Sequence, residues 1–332
     1  MTNSHREVRL RHRPEGEYRP DCLELVEAPL PVPGPGQALV RNLAMRVGAE
    51  TRTRLAEHSG LPMPPYQVGL PLDGPALGEV VTSDLPGLAP GDLVQHRLGW
   101  REYAVVDGRA HRLSEALGEF PLACLSSGFA GWLAVTRIAP VRPGDVVFVS
   151  GAAGGVGVIA GQFARLCGAA RVLGSVGSAA KAERLVAELG FDEVLVRGTG
   201  PFEERLRTAA PEGLDVVVDT VGGEQLEAAL RLARPLSRYV LIGALASQTR
   251  GGTTAPFTTD ALALFSREVS LRGVTTAHHR HELPDWELAF GTALREGTIS
   301  FPHTTLPGLD QAPRALAGLL AGQYTGTVLV TT

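Results

Sequence analysis

The stretch 145–169, DVVFVSGAAGGVGVIAGQFARLCGA, constrains this chain most. An apolar run, Val146 to Val149, leads into Gly151, Gly154 and Gly157 at a spacing of three. Val156, Ile159, Ala160, Phe163 and Cys167 then recur at helical spacing, the pattern of one buried helix face. Strand, glycine-rich turn and helix follow one another without a break. Glycines there permit a tight turn and close approach of the backbone to a ligand, and a helix N-terminus offers unpaired N–H groups with a positive dipole. A glycine-rich turn alone is a weak signal, since a structural turn reads the same way. Between a strand and a helix it reads as a pyrophosphate cradle for a dinucleotide.

The surrounding text agrees. From about Val141, apolar strands (VVFVS, RVLGSVG, EVLVRG, DVVVDT, RYVLIGA) alternate with helical stretches (AKAERLVAELG, FEERLRTAA, EQLEAALRLA). That alternation predicts a parallel, doubly wound α/β sheet. The first ~120 residues differ: short strand-like runs punctuated by Pro and Gly, as in 30–37 and 88–92, read as an all-β barrel or sandwich. Near the end a helical stretch leads into a last strand, TGTVLVTT. If that strand joins the N-terminal β region, the α/β part is an insertion within it.

The end of the second α/β strand bears on which dinucleotide is held. An acidic side chain there would bind a ribose 2′-hydroxyl. This chain instead offers Ser175, Gly177, Ser178 and Lys181, with no acid before Glu183. Small hydroxyls and a cation suit a 2′-phosphate, which favours NADP(H). Lys181 is the only lysine in a chain with 31 basic residues, so its survival among arginines invites a functional reading; a solvated helix residue is the plain alternative. Arg197, after the third strand, is a second candidate phosphate partner.

Composition sets the outer bounds. The 332 residues suffice for about two domains, and 44% hydrophobic with 20% charged residues exclude a wholly disordered chain. A net charge of −4 leaves no electrostatic footprint for nucleic acid or an anionic membrane. The apolar runs fall short of a membrane span, and the N-terminal residues lack the apolar core of a signal peptide. Three cysteines without a CxxC pair fit a reducing compartment and argue against a disulfide scaffold or a thiolate metal cluster. A cytoplasmic protein with no metal is expected.

Taken together, LELVEAPLPVPGPGQALVRNL, LGWREYAVVDG, VSGAAGGVG with the helix after it, and DVVVDTVGGEQLEAAL with YVLIGALAS resemble the zinc-independent medium-chain dehydrogenase/reductases, in the branch of leukotriene B4 12-hydroxydehydrogenase, prostaglandin reductase and plant double-bond reductases. The resemblance runs nearly end to end. It implies a Rossmann sheet (123–294) inserted in a GroES-like β-barrel domain (1–122 with 295–332), with the active site in the cleft. It implies NADPH, with Lys181 at the 2′-phosphate, Gly154, Val156 and Gly157 along the pyrophosphate, and Ala244 and Leu245 flanking the nicotinamide. Gly155, Gly222 and Gly243 complete the expected cofactor set. The resemblance further implies a homodimer that reduces the C=C bond of an α,β-unsaturated ketone or aldehyde. No zinc is expected, because PALGE (75–79) lacks the ligand histidine of the zinc relatives.

The expected substrate pocket departs from that family. GAETRTRL places Glu50 where a tyrosine is usual, Pro75 replaces a second tyrosine, and GVTTAHHRHELPDW replaces a third. Leu133 stands for a threonine, and Tyr324-Thr325-Gly326-Thr327 for a cofactor-contacting N-x-GK. Conjugate reduction needs a donor for the developing enolate oxygen. Glu50, His278 and His279 are the residues that could take over, as an acid–base set. Their plain alternatives are a surface carboxylate salted against Arg52 or Arg54, and a solvated histidine loop that includes His281. Arg52 reads as structural, and Tyr66 as a replacement hydroxyl or a packed ring. Two further readings stay open: a family member turned to non-reductive cyclisation, dehydration or isomerisation, and an NADPH-sensing protein without turnover.

Overall fold

Apolar and β-branched residues alternating between Gly and Pro turns give fifteen strands among the described residues of a computed structural model, which are 3–58, 63–249, 252 and 254–332. In chain order they are β1 (Ser4–Leu10), β2 (Leu23–Pro29), β3 (Ala38–Val47), β4 (Ala76–Ser83), β5 (Leu93–His96), β6 (Tyr103–Val106) and β7 (His111–Arg112). Then follow β8 (Val146–Val149), β9 (Arg171–Val176), β10 (Glu193–Val196), β11 (Leu214–Asp219), β12 (Ala233–Leu241), β13 (Ser270–Gly273), β14 (His303–Pro307) and β15 (Thr327–Thr331). The helices are α1 (Glu50–Arg54), α2 (Phe129–Leu133), α3 (Gly155–Leu166), α4 (Ala179–Glu188) and α5 (Phe202–Ala209). They continue as α6 (Gly223–Arg231), α7 (Leu245–Gln248), α8 (Ala261–Ser266), α9 (Leu283–Arg295) and α10 (Ala312–Leu320).

The described residues fall into two units. One takes those within 1–126, 248–253 and 303–332, and the other those within 127–247 and 254–302. The observed breaks lie a few residues beyond the sequence boundaries at 122 and 294. The second boundary cut through α9, whose Trp286 and Phe290 stack at 4.3 Å between ring centroids while Trp286 meets Phe163 of α3. Those ring contacts keep the whole helix with the second unit.

In the first unit the strands run β14-β15-β3-β4-β5-β7, with β6 also paired to β3 and with β1 and β2 as a separate antiparallel pair. The last strand does join the first unit's sheet: β15 lies antiparallel to β3, Val328 opposite Val47 through Thr331 opposite Ala44. Val8, Leu10, Met45, Trp100, Leu316, Val328 and Val330 close its main core. Strands β3 and β4 approach closely because Gly78 has no side chain; a Cβ there would lie 2.3 Å from Val40. Buried Asn42 donates to the carbonyls of Leu98 (3.0 Å) and Arg101 (2.7 Å), pinning the loop after β5.

One buried titratable group makes this unit acid-sensitive. His96 accepts the Leu98 N–H on Nδ1 (3.1 Å), and its Nε2 has no hydrogen-bond partner. Burial, assisted by the charge of Arg101, holds its pKa at about 4 instead of 6.5. Between those values the unfolded chain binds a proton that the folded chain refuses. Stability present at neutral pH is therefore lost as pH falls from 6.5 towards 4, by about 3 kcal/mol. Thermal melts across that window should show a flatter pH profile for His96→Asn than for the wild type; parallel profiles would acquit His96.

The second unit is a six-stranded parallel sheet in the order β10-β9-β8-β11-β12-β13. Its strands are covered on both faces, so Val147, Phe148, Val149, Val216, Val217 and Val218 read as continuous apolar runs. The strand order reverses between β8 and β11, which is where an open α/β sheet leaves a crevice at the carboxyl ends of its strands.

Candidate functional site

The turn after β8 and the turn after β11 meet at that reversal, and glycine lets them meet. Gly151 has a φ of +60°, and a Cβ on it would lie 2.6 Å from Thr220 Oγ1. Gly154 is the N-cap of α3 in extended conformation, with no side-chain cap, so the first N–H groups of the helix are left for a ligand. Gly155 and Val156 form the first turn, both half-buried. Gly157 lies against the loop itself, since a Cβ there would come within 2.7 Å of the Ala152 Cα and of the Gly151 carbonyl oxygen. These are the residues read from the sequence as a backbone cradle, and the structure brings them together in one turn.

Beneath the cradle lies a buried polar network that sequence reasoning missed. Ser150 Oγ donates to Asp219 (2.6 Å) and accepts the Thr220 N–H (2.8 Å). Thr220 Oγ1 donates back to the Ser150 carbonyl (2.9 Å), and Asp219 accepts the Gly222 N–H (2.8 Å). Asp219 is 1% exposed; burial pushes its carboxyl up, against hydrogen bonds from Ser150 and the backbone amides of Gly222 and Val221. Gly222, at φ +75°, caps α6 and so turns the chain back above Asp219. Next to it, Gly243 allows the end of β12 to approach within 3.0 Å of the Thr220 carbonyl, measured from a built Cβ, and Leu245 N–H donates to that same oxygen (3.0 Å). Gly222, Gly243, Ala244 and Leu245 are thereby gathered with Gly151 at one edge of the sheet. The signal for this network was the polar pair Asp219-Thr220 ending an otherwise apolar strand.

Ser175 corrects the sequence reading. It is fully buried, accepts the Gly151 N–H on its hydroxyl (3.2 Å) and donates to Gln225. With both functions engaged inside the loop, it braces the turn and has no hydroxyl to turn towards a 2′-phosphate. Gly177 and Ser178 are exposed, Ser178 as the N-cap of α4 without using its side chain. Lys181 is half-buried on the first turn of α4, and Arg197 is tethered beside it by its N–H to the Val176 carbonyl (2.9 Å). The Arg197 guanidinium reaches to 3.2 Å from a Cβ built on Gly177. Burial and then the charge of Arg197 lower the Lys181 pKa. Two cations thus come together beside the exposed Gly177 and Ser178, and a phosphate group there would favour the charged form of Lys181.

The candidate acid–base residues stand in different surroundings. Glu50 opens α1 in the first unit and pairs with Arg46 (3.1 Å), not with Arg52 or Arg54. Those two are buried and engaged elsewhere: Arg52 donates to the Gly16 carbonyl, and Arg54 makes a bidentate pair with Asp73 at 2.6 Å on both sides. The Glu50 carboxylate occupies the space a side chain on Gly48 would fill. Burial alone would raise its pKa, yet the Arg46 charge, its own backbone amide and the charge of Arg97 outweigh this and hold it below the usual carboxylate range. The Tyr66 hydroxyl is engaged too: it donates to the Asp73 carbonyl (2.6 Å) and accepts from Arg54 (3.0 Å), whose guanidinium sits 3.9 Å from the ring centre. Tyr66 is therefore a packed ring and not a replacement hydroxyl. His278 and His279 lie in a 3-10 turn, Thr276–Glu282, of the second unit, His278 exposed and His279 half-buried with its ring 6.1 Å from that of His281.

Comparison with known proteins places this geometry in a family. Family models for the N-terminal domain of oxidoreductases and for zinc-binding dehydrogenases match residues 6–113 and 155–291. The NADPH-dependent curcumin reductase of Escherichia coli is 29% identical over 97% of this chain and 95% of its own length. The putative NADP-dependent oxidoreductase YfmJ of Bacillus subtilis is 30% identical over 99% and 98%. The structure of CurA from Vibrio vulnificus in complex with NADPH superposes with a TM-score of 0.90 at 26% identity, covering 98% of this chain and 99% of that one. The chain is therefore an oxidoreductase that belongs to the zinc-independent branch of the medium-chain dehydrogenase/reductases.

Proposed function

We propose that this enzyme reduces the C=C bond of an α,β-unsaturated carbonyl compound with NADPH. The observation that carries the reading is the Lys181–Arg197 pair at the end of β9, beside a glycine cradle at the sheet's reversal point. NADPH supplies the hydride. The N–H groups at the start of α3 would hold the pyrophosphate and Lys181 and Arg197 the 2′-phosphate, while the Asp219–Thr220 network positions Gly243 to Leu245, which would flank the nicotinamide end. The relatives' names, an NADPH-dependent curcumin reductase and an NADP-dependent oxidoreductase, support the same cofactor, and the first of them supports a reductase.

Glu50 enters this reading as a fixed anion. Held ionised by Arg46, it is a poor proton donor near neutral pH, so the α-carbon takes its proton from water. A homodimer belongs to the reading as well. The exposed Leu236, Leu262 and Phe265, at 62%, 69% and 78%, lie on and beside the strands at the β13 edge of the sheet and support a subunit contact there. Among the described residues no helix is long and apolar enough to cross a membrane, and we place the enzyme in the cytoplasm.

The test is NADPH titration by fluorescence, followed by NADPH oxidation against a panel of enones and enals. Tight binding with enone-dependent oxidation is expected, and Glu50→Gln and His278→Ala should each keep turnover within about threefold. Tight binding with no oxidation by any panel member would sink the reductase reading. A loss of about 100-fold in kcat with NADPH affinity intact would return Glu50 or His278 to acid–base duty.

A further inference from the structure

We propose that His12, Asp21 and Cys22 form a surface site for Zn2+ or a metal ion of similar preference, separate from the cofactor cradle. One ligand atom from each of the three lies within 4.8 Å of the others. A tetrahedral zinc site with bonds of about 2.0–2.3 Å sets its ligand atoms roughly 3.3–3.8 Å apart. The gap is small, and the His12 and Asp21 side chains are exposed, His12 holding only a long 3.3 Å contact from Nδ1 to the Arg13 carbonyl, whereas Cys22 is 2% exposed. An imidazole nitrogen, a carboxylate oxygen and a thiolate make a mixed donor set that zinc accepts, with water in the fourth position.

The backbone prepares the site. The N–H groups of Arg11 (2.8 Å) and His12 (3.3 Å) both donate to the Cys22 carbonyl, so residues ten apart in the chain are held side by side. Cys22 N–H in turn donates to Arg19 (3.1 Å), closing the 3-10 turn Pro20–Cys22. Arg13, next to His12, is anchored on the carbonyls of Leu55, Ala56 and Tyr66, each at 2.9 Å. The competing cation is Arg19, a highly exposed side chain 3.5 Å from Asp21 that moves aside at little cost.

Arg52 is 3% exposed and donates to the Gly16 carbonyl. A buried guanidinium disfavours further net positive charge close by, so a donor set that neutralises the ion suits this position. Binding would then proceed by loss of the Cys22 thiol proton to solvent and formation of the metal–sulfur bond. With one thiolate, one carboxylate and a neutral imidazole, the bound divalent ion is charge-neutral and the adjacent Arg52 stays tolerable. The ion would tie the strand end at Arg11–Arg13 to the turn before β2.

Co2+ titration of the chelator-treated full-length enzyme tests this. One equivalent should produce a thiolate-to-cobalt charge-transfer band that Zn2+ displaces, and Zn2+ should raise Tm. Cys22→Ser should abolish the band. Because Cys22 is buried, His12→Ala provides the second arm: its ligand is exposed, so the variant should fold with an unchanged Tm without metal, yet lose both the band and the Zn2+-dependent rise. Absence of a band in the wild type, a band that survives Cys22→Ser, or an unaltered response in His12→Ala would each overturn the site. NADPH affinity, measured alongside, should not depend on the metal.

Discussion

Lys181→Ala should weaken NADPH binding by about 10–100-fold while leaving NADH binding within roughly a factor of two. The two cofactors differ only in the 2′-phosphate, so the ratio of their dissociation constants isolates that contact from the rest of the cradle. A charge-assisted hydrogen bond contributes about 1.5–3 kcal/mol, which is the basis for the range. Arg197→Ala should act in the same direction. Since both cations would meet one phosphate, the double variant should lose less than the product of the single effects. Burial, and then the charge of Arg197, lowers the Lys181 pKa, and a 2′-phosphate beside both cations would favour the charged lysine in a way that NADH does not. Raising ionic strength should therefore weaken NADPH binding more than NADH binding. Fluorescence titration with both cofactors decides the matter. Equal losses for NADPH and NADH would mean that Lys181 shapes the loop without meeting a phosphate.

Gly157→Val should cost about 2–4 kcal/mol of stability and remove most cofactor binding. The atoms a Cβ would strike, Ala152 Cα and the Gly151 carbonyl at 2.7 Å, are backbone and cannot rotate away. Either α3 moves off the loop, or the loop moves off Thr220; both open the cradle. Gly108→Ala is the matching control, because Gly108 has an ordinary φ and nothing within 4 Å of a built Cβ. It should change stability by less than about 0.5 kcal/mol. Denaturant melts of the two variants test the contrast. A Gly157→Val protein as stable as wild type, with NADPH affinity intact, would show that the helix is not pressed against the loop.

What could be read from the sequence alone was local in origin. Strand, glycine turn and helix at 146–166 follow from side-chain period and from the conformational range of glycine, both set within a few residues. The alternation of strands and helices then left few topologies open, and the parallel order β10-β9-β8-β11-β12-β13 is the one found. The reading of Lys181 arose for a related reason: the residues from the end of β9 up to Glu183 include no acid, and that is a fact about neighbours.

The tertiary structure decided which polar groups are engaged. Ser175 looks like Ser178 in the sequence, yet strand β9 turns the first inward to Gly151 and Gln225 and leaves the second in solvent. Glu50 had three arginines within four residues. The helical turn of α1 carries Arg52 and Arg54 into the core and leaves Arg46, on the preceding strand, as its partner. The Ser150–Asp219–Thr220 network joins residues some seventy positions apart, and the His12–Cys22 contact depends on the pairing of β1 with β2. In each case the partner is chosen by strand register and helical phase. A one-residue shift in either would reverse which face a side chain occupies, so these pairings belong to the folded chain and not to any short stretch of it.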